Sequence, residues 1–322
     1  MPAPDPSPIT AWHWAGFVAL VLVFLALDLG VFHRSARVVK VKEAMLWTAF
    51  WVGLTALFAW AFAVRRGPEE ALQFLTGYVI EMSLSMDNVF AIALIFAWFG
   101  VEPARQHRTL FWGILGALVM RGLMIGGGAA LIQRFHWLLY ALGVFLVVTG
   151  LKWGFSKQEV VRPEKNAVVR LARKFMPITE GFDGQKFFSM IGGRRALTPL
   201  ALALLMVETT DLVFAADSIP AIFAVTQNAF IVFTSNVFAI LGLRSLYFLL
   251  AGAIQYFRHL KAGLAFVLVF IGAKMLAAPW RTVPTVLSLA IVGLILAVAV
   301  GFSAMAAWRE KKAAAVRPKS KV

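Results

Sequence analysis

Nine runs of predominantly apolar residues, most of them about twenty residues long or more, follow one another along the chain. They lie at 12–32, 44–64, 71–98, 108–131, 136–154, 197–226, 230–254, 258–278 and 283–307. At ~1.5 Å per residue, about twenty residues cross a ~30 Å hydrocarbon core. Lipid offers the backbone no hydrogen-bond partners, so such runs must close their bonds internally as helices. The spacing therefore predicts an all-α membrane protein of about nine transmembrane helices, with the lipid bilayer as its solvent. Composition agrees: 61% of the 322 residues are hydrophobic and only 15% are charged, against about 25% charged in a soluble domain. The first ten residues hold no Lys or Arg, so they lack the positive region of a secretory signal, and the first run is expected to remain a transmembrane helix.

The net charge of +15 would suggest nucleic-acid binding in a soluble protein. Here its distribution points to membrane orientation instead. Twenty-four of the 31 Lys and Arg fall on one alternating set of loops and helix ends, which includes the long basic segment 155–196 and the tail. Four fall on the other set, and Arg121, Arg244 and Lys274 lie within spans. Basic residues are retained on the cytoplasmic side. The expected topology is an inner-membrane protein with its N-terminus outside and its C-terminus in the cytoplasm, and no nucleic-acid partner.

The chain also repeats itself. Asp87-Asn-Val-Phe-Ala in span 3 reappears as Asp211-Leu-Val-Phe-Ala in span 6, Arg121 in span 4 matches Arg244 in span 7, and Gly150-Leu-Lys152 matches Gly272-Ala-Lys274. A repeat of three spans reverses direction at each recurrence, which makes two inverted-topology units with a site expected at their interface. The organisation read from this is 1–66 for helices 1 and 2, 67–154 for the first repeat, and 155–196 for a basic cytoplasmic loop. The second repeat follows at 197–279, with helix 9 and the basic tail at 280–322. Spans 1, 2 and 9 are expected at the periphery, and Gly122 and Gly126 in span 4 form a GxxxG suited to close helix packing.

Five acids lie inside spans: Glu81, Asp87, Glu208, Asp211 and Asp217, with Asp28 nearer a helix end as a gate or proton site. Each costs about 2.5–3.5 kcal/mol at a helix centre, so they must face inward and meet cations. Arg121, Arg244 and Lys274 can neutralise three of the five, by charge pairing or gating. The remainder asks for protons or a bound cation. Glu208 and Asp211 share a helix face, whereas Asp211 and Asp217 diverge by about 120°. Convergence would be easier if the helix broke at Asp217-Ser218-Ile-Pro220, since proline removes a donor and crowds the carbonyl of Ala216. The plain alternative is a proline kink. Asn88 and Asn236 add amide oxygens. Carboxylate, amide and carbonyl oxygens suit Mg2+, Ca2+ or Mn2+. The five histidines fall near span ends, away from any central zinc site. Met82, Met86 and Met206 beside the acids read as packing, or as thioether ligands that would favour Mn2+. The absence of cysteine removes thiolate sites. No phosphate-binding loop or nucleophile–base pair appears, so neither an ATP-driven pump nor an enzyme is expected.

The segment VETTDLVFAADSIPAIFAVT (207–226), its continuation FIVFTSNVFAILGLRSLYFLLAG (230–252) and the counterpart GYVIEMSLSMDNVF (77–90) resemble the TerC family of integral membrane proteins, and within it the Alx branch. The likeness runs over roughly residues 12–308. It implies an Mn2+ exporter related to the lysine-exporter superfamily, with the ion held by Glu81, Asp87, Glu208, Asp211 and Asp217 and no organic cofactor. The family name reflects tellurium resistance, yet an oxyanion would want clustered cations and this cluster is acidic. The function expected is export of a divalent cation, Mn2+ before Ca2+, with protons as a coupling ion. The alternatives are a non-transporting membrane factor for metalation or assembly of exported proteins, or a tellurium-resistance-associated membrane protein. The exporter requires the acids of both halves to surround one shared pocket.

Overall fold

The structure, a computed structural model, describes residues 9–27, 41–155, 166–250, 260–281 and 283–316. Ten helices and one hairpin make up the described chain: α1 (Ala11–Leu27), α2 (Val41–Arg66), α3 (Pro68–Phe99), α4 (Pro103–Arg134), α5 (Leu138–Phe155), α6 (Ala167–Phe175), β1 (Phe188–Ile191), β2 (Arg194–Leu197), α7 (Pro199–Phe223), α8 (Ala229–Leu250), α9 (Leu260–Ala277) and α10 (Thr285–Val316). Among the described residues seven helices are long and apolar enough to span a membrane, and two shorter apolar helices lie at 11–26 and 262–277. Together they occupy the nine expected places.

Local signals set the helix ends. α3, α4 and α7 each open on a proline at the first turn, where a missing N–H costs nothing and the fixed φ suits a helix. Gly100 ends α3 in the left-handed region at φ 64, its N–H bonded to Ala97 O while Val101 N reaches Phe96 O; a side chain there would be strained. The Thr198 side chain caps α7 by accepting from Ala201 N.

The second repeat is the first turned over. At the crossing of α5 and α9, a Cβ on Gly150 would lie 2.7 Å from Ala265 O and 2.8 Å from Val269 Cγ2. A Cβ on Gly272 would lie 2.6 Å from Gly143 O and 2.9 Å from Val147 Cγ2. Shifting residues 143, 147 and 150 by the repeat offset gives 265, 269 and 272, so exchanging the two repeats maps each contact onto the other. Residue numbers rise along α5 as they fall along α9, so these corresponding helices run antiparallel, as inverted repeats require. The same exchange relates the packing of α3 on α8 to that of α7 on α4. α1 and α2 pack outside this core against α8, through Trp14 on Phe230 and Phe58 on Phe238. α10 packs outside it on α9, where Gly263 faces Ala299.

Three expectations need correction. The helix does not break at Asp217-Ser218-Ile-Pro220: α7 runs unbroken through Pro220 to Phe223, with Ser218 wholly buried inside it. Proline removes one backbone bond near the end of the helix, whereas a break would orphan several groups in a medium that cannot satisfy them. The GxxxG of span 4 is not a tight crossing at both glycines. Gly122 meets Phe233, but Gly126 has nothing within 4 Å, and the close approach falls on Gly150 and Gly272. Finally, the long basic segment is not simply a loop. It holds α6 and a β-hairpin whose turn residues Gly192 and Gly193 both have positive φ, at 55 and 77, the geometry of a two-residue hairpin turn.

Candidate functional site

α3 and α7 lie antiparallel at the centre of the fold. Gly77 faces Ile222 at one level, and Asn88 Nδ2 donates to Asp211 Oδ1 at 3.3 Å at another. Between these levels α4 inserts Arg121, which is 1% exposed. Its guanidinium grips Asp211 as a fork, Nε to Oδ2 at 3.0 Å and Nη2 to Oδ1 at 2.8 Å. Its third arm, Nη1, donates to Glu81 Oε1. Glu81 is fully buried and Asp211 is 9% exposed. One cation thus ties an acid of the first repeat to an acid of the second. Planar, bidentate pairing is the strongest form of this contact, and burial makes it costly to break, because either partner left alone would be an uncompensated charge in a dry interior. Two carboxylates against one guanidinium leave a formal charge of −1.

Several buried oxygens of α3, α7 and α8 have no hydrogen-bond partner among the described residues, among them Glu81 Oε2, Ser85 Oγ, Asn88 Oδ1, Glu208 Oε2, Ser218 Oγ and Asn236 Oδ1. Glu81, Ser85 and Asn88 recur at i, i+4 and i+7 on one face of α3, and the register of α7 sets Ser218 level with Glu81. Asn236, wholly buried on α8, also leaves its Nδ2 unpartnered. Buried polar atoms are rarely left so. By contrast, Ser83 and Thr209 bond their own helix carbonyls, Val79 O and Leu205 O.

Glu208 stands one turn before Asp211 on α7. Its carboxylate fills the space beside Gly116 of α4, where a Cβ would lie 2.0 Å from Glu208 Oε1. Nothing in the sequence marks Gly116 as part of the site. Asp217 is buried at 8% exposure and, six residues on, turned about 120° away from Asp211. Lys274 makes no ion pair with Glu81 or Asp211, which both pair with Arg121. Arg244 lies on α8 at the position the repeat exchanges with Arg121. Asp87 sits in α3 beside Asn88, and its side chain lies outside the described residues, as does Asp28 altogether. Among the described residues, which leave out the Asp87 side chain, acids of the two halves meet as Glu81 and Asp211 at Arg121, and no three acidic or histidine side chains gather to hold an ion. The helical rotation of 120° between Asp211 and Asp217 is the reason, since no break in α7 corrects it. Met82 and Met206 pack in the apolar cores.

Spanning helices in two inverted repeats around a buried charge cluster define a multi-pass, all-α integral membrane protein. The chain belongs to the TerC family: the profile of the integral membrane protein TerC family matches residues 66–314. Among its relatives, membrane protein STKORF319 of Myxococcus xanthus is 52% identical over 287 residues, covering 89% of this chain and 90% of the relative. A protein of Escherichia coli (strain K12) that carries the name membrane-bound redox modulator Alx is 43% identical over 308 residues, covering 93% of this chain and 96% of its own. The Salmonella typhi protein of the same name is 46% identical over 288 residues, 87% of this chain and 89% of its own. No solved structure matches significantly.

Proposed function

We propose that this protein is a secondary transporter that moves a divalent cation, Mn2+ first, out of the cytoplasm, with protons as the counter-ion. One observation carries this: a fully buried guanidinium sits between carboxylates of opposite repeats, ringed by hard oxygens that lack partners. In this reading Arg121 occupies the place of the cargo. When no ion is bound, its fork holds Asp211 and its third arm holds Glu81, offsetting one of their two negative charges. An arriving cation competes for the same oxygens and recruits Asn88, Ser85 and Ser218. Rocking of α3–α5 against α7–α9 would expose the site to each side in turn.

The basic loops favour the cytoplasmic side for α6 and the C-terminal tail, in a bacterial inner membrane. The redox term in the names of the relatives belongs to those proteins. A chain without cysteine cannot itself carry out thiol–disulfide exchange. Reconstitution in proteoliposomes tests the proposal. Wild type should carry Mn2+ down an imposed gradient, and Asp211→Asn and Glu81→Gln should lower the flux at least tenfold at equal protein content. Undiminished flux in both variants would overturn the site, and no flux in active-lipid wild-type vesicles would overturn the transport.

A further inference from the structure

α6 is held against the membrane part of the protein at both ends. At its start, Asn166 caps the helix, its Oδ1 accepting from Val168 N and Val169 N, and its Nδ2 donates to Thr209 Oγ1 at 2.8 Å. Thr209 lies on α7, eleven residues into that spanning helix. Beyond the other end of α6, Leu197 N donates to Pro177 O at 2.8 Å. α6 therefore runs alongside the first half of α7, in the opposite sense.

Helix lengths give the depth. α4 has 32 residues, about 48 Å, well beyond a ~30 Å hydrocarbon core. Counted from Arg134, about twenty residues bring α4 to Ile114. Gly113 and Gly116 of α4 face Val207 and Glu208 of α7. Counted this way, α4 and α7 exceed a ~30 Å core on the side of α6, and α6 runs beside that excess length.

The surface of α6 matches this depth. Val169, Ala172 and Met176 pack into the core beside α7. Val168, Leu171 and Phe175, at the same helical spacing, form a second apolar stripe that is 39%, 55% and 73% exposed. The remaining arc carries Arg170, Arg173 and Lys174, all exposed and none in an ion pair among the described residues. An open apolar stripe beside unpaired cations, at this level, is the pattern of a helix that binds anionic lipid.

We propose that α6 is an anionic-lipid binding site: Val168, Leu171 and Phe175 lie against acyl chains, while Arg170, Arg173 and Lys174 hold lipid phosphates. Because the chain has no cysteine, single labels can be placed on the full-length protein. Leu171→Cys, Phe175→Cys and the control Glu180→Cys would carry a polarity-sensitive fluorophore in nanodiscs of phosphatidylcholine, with or without phosphatidylglycerol bearing brominated chains. The labels at 171 and 175 should be quenched by the brominated phosphatidylglycerol and the label at 180 should not. A triple variant, Arg170→Gln, Arg173→Gln and Lys174→Gln, should reduce the preference for the anionic lipid by roughly fivefold per charge. The lipid bound per purified protein should fall in parallel, a readout that leaves the apolar stripe intact. Labels that report water in both lipids would overturn the proposal. So would equal quenching by brominated phosphatidylcholine, unaffected by the triple variant.

Discussion

Arg121→Met asks most of the central triad. The substitution keeps a long apolar stem but removes one positive charge and three charged hydrogen bonds, two to Asp211 and one to Glu81. Both acids are then left in the interior without a cation. Removing one partner of a buried ion pair costs about 3–5 kcal/mol. At ~2–3 °C per kcal/mol for a chain of this size, Tm should fall by roughly 6–15 °C. Thermal unfolding in detergent can be followed by the fluorescence of the eleven tryptophans.

The informative arm of the experiment adds Mn2+. If the guanidinium and the cargo share one set of oxygens, the variant should bind the ion more tightly than wild type. A ligand at about 100 times its Kd restores ~2.7 kcal/mol, so saturating Mn2+ should recover most of the lost Tm in Arg121→Met and shift wild type less. Adding Glu81→Gln and Asp211→Asn to the variant should abolish that recovery. An equal shift by Mn2+ in wild type and Arg121→Met would refute competition between arginine and ion. A loss of stability below 1 kcal/mol would refute the buried triad itself.

Three further outcomes follow from the geometry. Gly150→Ala and Gly272→Ala each drive a Cβ onto a carbonyl of the facing helix and should destabilise by similar amounts, about 1–3 kcal/mol; a large cost at one glycine and none at the other, measured by the same unfolding, would contradict the two-fold exchange. Gly116→Ala should displace the Glu208 carboxylate, whose flexible end can give way, so Tm should shift little while Mn2+ flux in proteoliposomes drops. Asn166→Ala removes the cap of α6 and its tie to Thr209, at about 1 kcal/mol for the cap, and should speed proteolysis within residues 166–198 without changing the protection of the spanning helices.

Much of the fold was legible because lipid leaves the chain few alternatives. Each apolar run became a helix at its expected place, and the matched landmarks, Gly150 with Gly272 among them, located the inverted repeat. The site was harder to read. The burden of buried acids marked Glu81 and Asp211 among five candidates, but which of the five share Arg121 depends on the rotation of three helices about their axes, which no local spacing encodes. Pro220 misled because its usual helix-breaking effect was weighed without the greater cost of an open backbone in hydrocarbon. The hairpin was missed although Ile191-Gly-Gly-Arg194 between short apolar stretches is a strong turn signal; it was hidden by the charge of the surrounding segment. Gly116 left no trace in the sequence, since its role is to be absent beside Glu208.

The glycine crossing of α5 and α9 has one more implication. Each half of the protein offers the other the same surface that it receives, so the fit between the halves is carried by α5 and α9 themselves. Two polypeptides, one ending after α5 and one beginning before α6, should recognise each other in a bilayer and rebuild the whole from its parts.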